Sequence, residues 1–198
     1  MSRALSHLRG EPFLTGLRAA CRPQILCSGL ELREEDDQST IPPVTLRKDL
    51  VGFSHILLRP DRVAEGGSVN QRLFPLFDTT LAGLTGCCDY ILCSQRERAA
   101  ELQVLLIELK SGDARGAAAQ IDNAGLLIKS FLDAVAWHLH QAPPTLRWRS
   151  VVIAGKAPRG NQKRQKLPWQ QRAWPLGDDV EHAVLGPTTY SLSFLCGE

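Results

Sequence analysis

Three ionisable residues, Asp89, Glu108 and Lys110, are spaced so that they can act together. They bracket two apolar runs, Tyr90–Cys93 and Val104–Leu109, joined by a polar, charged segment, which predicts a β-hairpin. With a turn symmetric about residues 98 and 99, Cys93 faces Val104 and Asp89 faces Glu108. Directly opposed residues of antiparallel strands lie about 4.5–5.5 Å apart. Side chains alternate along a strand, so Glu108 and Lys110 share one face and Leu109 takes the other. Like charges directly opposed destabilise a sheet unless something offsets them. A divalent cation does so: Mg²⁺ takes oxygen ligands at about 2.0–2.1 Å and needs few carboxylates. Lys110 beside the pair would orient or deprotonate a water and stabilise charge growing on a phosphate.

The surrounding elements must hold that hairpin. Pro12 to Cys21 predicts a short helix with Pro at its start, and Val44–Leu46 and Phe53–Leu58 are β-compatible. Glu34-Glu35-Asp36-Asp37 with the following polar residues reads as an exposed loop, and 61–86 gives no clear pattern beyond the Gly66-Gly67 break. After the hairpin, Ser111-Gly112-Asp113 supplies turn and cap chemistry. Ile121, Ala124, Ile128, Phe131, Val135 and Leu139 then recur at three- and four-residue spacing, predicting a helix from about 115 to 140. Gly125 within it costs about 1 kcal/mol relative to Ala. Pro143-Pro144 would end it, and Arg147–Ala154 reads as a further strand. Two apolar strands flanking a long helix imply an α/β fold, a mixed β-sheet flanked by helices.

The 198 residues suit one domain, 1–198, with 43% hydrophobic and 22% charged residues. No apolar run approaches the length of about 20 residues that spans a bilayer, so no membrane partner is expected. Met1 to Arg9 carries basic residues without an apolar core, which predicts no secretory signal. The six cysteines show neither C-x-x-C nor zinc-finger spacing, so free thiols in a reducing cytoplasm are expected, with Cys88 and Cys93 as small buried hydrophobes. His138 and His140, two apart on a helix, cannot share one ion. Trp169 and Trp174 are expected to pack rather than to stack on bases. Net charge is +2, yet no acidic residue occurs between Asp133 and Asp178, where Arg147, Arg149, Lys156, Arg159, Lys163, Arg164, Lys166 and Arg172 gather. A one-sign stretch in a nearly neutral chain points to a phosphate-rich partner, here through segment 147–172.

Cys88-Asp89-Tyr90-Ile91-Leu92 followed by Leu106-Ile107-Glu108-Leu109-Lys110 resembles the PD-(D/E)XK nuclease superfamily over about residues 85–155. That pattern has Asp at the start of one strand, Glu-x-Lys ending the next, and then a helix. The resemblance implies a restriction-endonuclease-like core, about 44–155 here, Mg²⁺ or Mn²⁺, and hydrolysis of nucleic-acid phosphodiesters, with DNA ahead of RNA. It implies Asp89 and Glu108 as metal ligands with the Leu109 carbonyl as a third, Lys110 as the catalytic amine, and Gln120 as the helix residue that positions metal, lysine or substrate. Cys88 stands where the motif has Pro. The upstream acid is not evident, Glu65 being the first candidate and Asp78 the second.

The expectation is therefore a metal-dependent nuclease whose Lys156, Arg159, Lys163, Arg164 and Lys166 hold nucleic acid. Such an enzyme fits defence, repair or mobile-element biology. The rival expectations are a non-catalytic nucleic-acid-binding or adaptor module of the same fold, or an effector controlled by a regulatory protein partner docking on the 34–37 loop. A homodimer is compatible with either.

Overall fold

The computed structural model describes residues 12–21, 23–33, 41–60, 86–97, 99–112, 114–155, 169–174 and 179–197. The expected 34–37 loop, Glu65, Asp78 and the cations from Lys156 to Lys166 lie outside the described residues. Among these, the strands in chain order are β1 (Glu31–Leu32), β2 (Val44–Arg47), β3 (Phe53–Leu58), β4 (Tyr90–Arg96), β5 (Glu101–Lys110), β6 (Thr145–Ala154), β7 (Gln170–Ala173), β8 (Asp179–Leu185) and β9 (Tyr190–Ser191). The helices are α1 (Phe13–Ala20), α2 (Ala117–Leu139) and α3 (Leu192–Cys196).

Six strands form one mixed sheet in the order β3-β4-β5-β6-β8-β7, and three short ones form a second, β1-β2-β9. The hairpin register is the anticipated one: Tyr90 pairs with Ile107, Leu92 with Leu105 and Cys93 with Val104. The chain then crosses through α2 and returns as β6, parallel to β5, pairing Glu108 with Val152 and Lys110 with Ala154. Leu102 to Leu109 are all buried because both faces of β5 are covered.

The two cores lie on opposite faces of that sheet. Ile91, Cys93, Val104, Leu106, Trp148 and Val152 meet α1 and α2. Leu92, Leu105, Ile107, Leu109, Val151 and Ile153 meet the small sheet and α3. Helices thus flank both faces, but unequally. The five-residue α3 shares its face with strands of two to four residues, whose Leu32, Val44, Leu46 and Tyr190 supply the apolar cover.

Two details of α2 differ from expectation. No side chain caps its start; Gly116 does so with a left-handed backbone, φ 78°. His140, also left-handed at φ 55°, ends it three residues before Pro143. Gly125 is not a mere weakness. A Cβ there would sit 1.8 Å from Trp174 Cζ2, so glycine is what lets the Trp174 ring lie against the helix. Trp174 is buried and meets Trp148 edge-on at 5.0 Å between centroids, the packing role expected for it.

Candidate active site

Asp89 immediately precedes β4, and Glu108 and Lys110 end β5. The alternation that sends Ile91, Val104 and Leu106 toward the helices sends Asp89, Glu108 and Lys110 to that same face. The Leu109 N–H donates to Asp89 Oδ2 at 2.6 Å, which fixes this carboxylate at the open end of the hairpin. Lys110 Nζ lies 2.7 Å from Glu108 Oε1 and donates to Gln120 Oε1 at 2.6 Å. Gln120 stands in the first turn of α2, so hairpin and helix together hold the ammonium group. All four residues that the sequence singles out as Asp89, Glu108, Lys110 and Gln120 are therefore gathered in one place.

The electrostatics of the cluster are unbalanced. The Glu108 side chain is 1% exposed, and its buried Oε2 has no hydrogen-bond partner among the described residues. Burial pushes its pKa up to about 8, and the Asp89 charge adds to that; Lys110 and the Asp89 backbone N–H pull the other way. Two carboxylates thus face one ammonium group in a low-dielectric position. Cys88 is fully buried behind them, where its thiol donates to the Tyr90 carbonyl at 3.2 Å. Burial pushes that thiol well up, so it stays neutral. None of the six cysteines forms a disulfide, and Cys88 and Cys93 are core residues as expected.

The basic stretch is corrected in part. Arg149 and Arg172 are not loose surface cations. Arg149 is buried, its guanidinium bonds the Glu181 carboxylate and the Leu195 carbonyl, and it stacks over the Trp169 ring at 4.9 Å. Arg172 pairs with Asp122. Both acids are distant in sequence, so local charge counting misses them. Lys156, Arg159, Lys163, Arg164 and Lys166 lie outside the described residues. Gly155, the last described residue before them, donates its N–H to the Lys110 carbonyl at 2.8 Å.

Two histidines that seem uninformative alone each meet a buried serine across a strand pair. His55 Nδ1 is 2.9 Å from Ser94 Oγ, and His182 Nδ1 is 2.9 Å from Ser150 Oγ. The apolar residues Val180, Ala183, Val184 and Leu185 around His182 are the sequence signal that places it on a strand. Among the described residues no group of three or more His, Cys, Asp or Glu side chains gathers as a metal cage, and no helix is long and apolar enough to cross a membrane. Comparison of the chain with protein-family models, with curated proteins and with solved structures finds no match.

Proposed function

We propose that this protein is a metal-dependent nuclease of the PD-(D/E)XK kind, hydrolysing nucleic-acid phosphodiesters, DNA ahead of RNA. The observation that carries the reading is the Asp89–Glu108 carboxylate pair, one of whose buried oxygens has no partner among the described residues, with Lys110 held beside it by Gln120. Two adjacent carboxyl groups that offer only oxygen donors, one of them buried and reluctant to ionise alone, fit a hard divalent cation. The strand context supports the same reading: Asp before one strand, Glu-x-Lys ending the next, then a helix bearing Gln.

Asp89 and Glu108 would hold Mg²⁺ or Mn²⁺, with the Leu109 carbonyl as a third ligand. Bound there, the ion supplies Lewis acidity toward a phosphoryl oxygen and makes water more acidic. The chain's own residues do the rest. Lys110 directs its charge to where negative charge grows on phosphorus and orients the attacking water. Gln120 shares that ammonium group with Glu108, accepting one of its hydrogen bonds through Oε1 and so fixing its position. As water oxygen bonds to phosphorus, the P–O ester bond breaks and the leaving oxygen takes a proton. Glu108 must be ionised to bind the ion, so its raised pKa makes metal affinity climb as pH rises toward about 8.

The test is incubation with linear, circular and single-stranded DNA and with RNA, with and without Mg²⁺ or Mn²⁺. Cleavage is expected with either ion and absent in excess chelator and in folded Glu108→Ala. Ca²⁺, which coordinates more loosely, is expected to support binding without efficient cleavage. Cleavage in chelator, or full activity of Glu108→Ala, overturns the reading.

A further inference from the structure

Among the described residues, the first half of β3 is an open sheet edge. β3 is an outer strand of the large sheet and pairs there with β4 alone. Along its second half the chain covers the free edge itself. The Cys27 N–H donates to the Leu57 carbonyl at 2.9 Å and the Arg59 N–H to the Ile25 carbonyl at 2.8 Å. On the β4 side, the Glu97 N–H donates to the Gly52 carbonyl, which sets the phase of the pairing. Outward groups alternate along an edge, so Phe53 and His55 turn their N–H and C=O the same way as Leu57. The hydrogen bond on that side of them is from Arg18 Nη2 to the His55 carbonyl, 3.2 Å long and exposed. The His55 ring, bonded to Ser94 Oγ and stacked parallel to Phe53, anchors this half of β3 to β4.

A cleft of about 950 Å³ lies beside it, bounded by the first turn of α1, the start of β3, the end of β4 and residues 141–144 after α2. Phe13, Ile56 and Pro144 give it apolar walls. Arg18, Lys48 and Arg96 line it as well, all exposed, and among the described residues none of the three has an ion pair. Glu97 is the one acid among the described lining residues. Asp49, next to Lys48, is taken up by the N–H and hydroxyl of Ser193.

We propose that this edge takes an acidic, extended peptide segment of a partner protein as an added strand. Phe53 and His55 present donors and acceptors in strand order, which a further strand meets in full. A phosphate backbone brings acceptors and would leave the Phe53 carbonyl bare. Three cations against one acid select carboxylate side chains on the incoming strand. Arg18 would turn its guanidinium from the His55 carbonyl to such a carboxylate, freeing the carbonyl for a peptide N–H. The inference is independent of the nuclease reading. β5 starts beside the cleft and runs about 30 Å to Lys110, so a bound peptide leaves the carboxylates accessible.

The experiment measures residue-resolved amide hydrogen exchange of the full chain, alone and with three probes: a nonapeptide alternating Glu and Val, its Lys–Val counterpart, and a 12-nucleotide single-stranded DNA. The free chain is expected to exchange Phe53 and His55 quickly. Saturation with the acidic peptide is expected to slow both at least about tenfold, while Ser54 and Ile56, already bonded to β4, change little. Lys48→Glu and Arg96→Glu together, at exposed positions, are expected to weaken that peptide at least about fivefold with the melting temperature unchanged. The Lys–Val peptide is expected not to bind. Acidic-peptide binding that leaves both amides unprotected overturns the proposal, as does equal binding of both peptides or of neither at about 1 mM. Protection by the DNA instead assigns the cleft to nucleic acid. Protection that rises with protein concentration and needs no probe assigns it to a second copy of this chain. Either result also overturns the peptide. Loss of the nuclease reading, seen as no cleavage in any metal, leaves all of these outcomes readable.

Discussion

The large sheet carries two buried ion pairs that differ in how completely they are satisfied. Arg149 and Glu181 form a closed unit: the guanidinium bonds the carboxylate and the Leu195 carbonyl, and its face is covered by Trp169. Even Gly197 is fitted to it, because a Cβ there would approach Arg149 Nη1 to 2.0 Å. Lys110 and Glu108 form an open unit, with a second carboxylate beside them and an oxygen left over. Burying a pair is tolerable only when its remaining donors and acceptors are met. The closed pair therefore holds the C-terminal helix to the sheet, whereas the open pair keeps the capacity to bind something else.

The sharpest way to break this contrast is to cut each pair and read both activity and stability. Lys110→Met is expected to lower the cleavage rate about 10²–10³-fold, the loss seen when one charge-stabilising donor is removed. Its melting temperature should move little, because Glu108 can take up a proton. Arg149→Met is expected to do the opposite. Stranding Glu181 and the Leu195 carbonyl should cost about 3 kcal/mol, or about 6–12 °C in Tm, with activity per folded molecule retained. If both variants lose stability alike, the open pair is structural too.

A titration sharpens the difference. Glu108 binds its proton more tightly folded than unfolded, so between about pH 4.5 and 8 the native state holds more protons. Stability must therefore fall as pH rises through that window and level off above it. Glu108→Gln removes the fall: at pH 8.5 it should melt at least about 3 °C above the wild type, with the gap closing toward pH 5. Mg²⁺ should narrow the gap at high pH by stabilising the ionised carboxylate. Parallel melting curves across pH would refute the unbalanced site.

The smallest expected effect concerns the cations between Lys156 and Lys166. Replacing Lys163, Arg164 and Lys166 together with Ala should weaken binding to unrelated DNA sequences. It should also flatten the slope of log K against log salt by up to about 0.9 per lost phosphate contact. Metal affinity should not change. Wild-type binding at every salt concentration would show that the segment touches no nucleic acid.

The legible parts of this molecule are those set by local periodicity. The apolar runs Tyr90–Cys93 and Val104–Leu109, with a turn centred on 98 and 99, yield the hairpin register and hence the meeting of Asp89 with Glu108. The three- and four-residue spacing of Ile121 to Leu139 yields α2, and Gln120 comes with it. What stays hidden depends on partners far along the chain. β7 has the sequence Gln-Gln-Arg-Ala, with no apolar alternation, and becomes a strand only through β8. Arg149 and Arg172 read as surface cations because Glu181 and Asp122 lie 32 and 50 residues away. In the small sheet Val44–Leu46 is legible as β-compatible, whereas β1 and β9 have two residues each, too short to show a period.

The turn between β4 and β5 also acts as a parity bit for the site. Both carboxylates lie on the helix side only because the loop between the paired strands has its present length. Removing or adding one residue within 97–100, with pairing slipped to suit, would exchange Glu108 for its apolar neighbours. It would bury the acid against Leu92 and Ile153 and present Leu109 to Gln120. A shift of two would restore the side but move the acid one full repeat from Asp89. The chemistry of this fold is thus stored less in any single side chain than in an odd-or-even count.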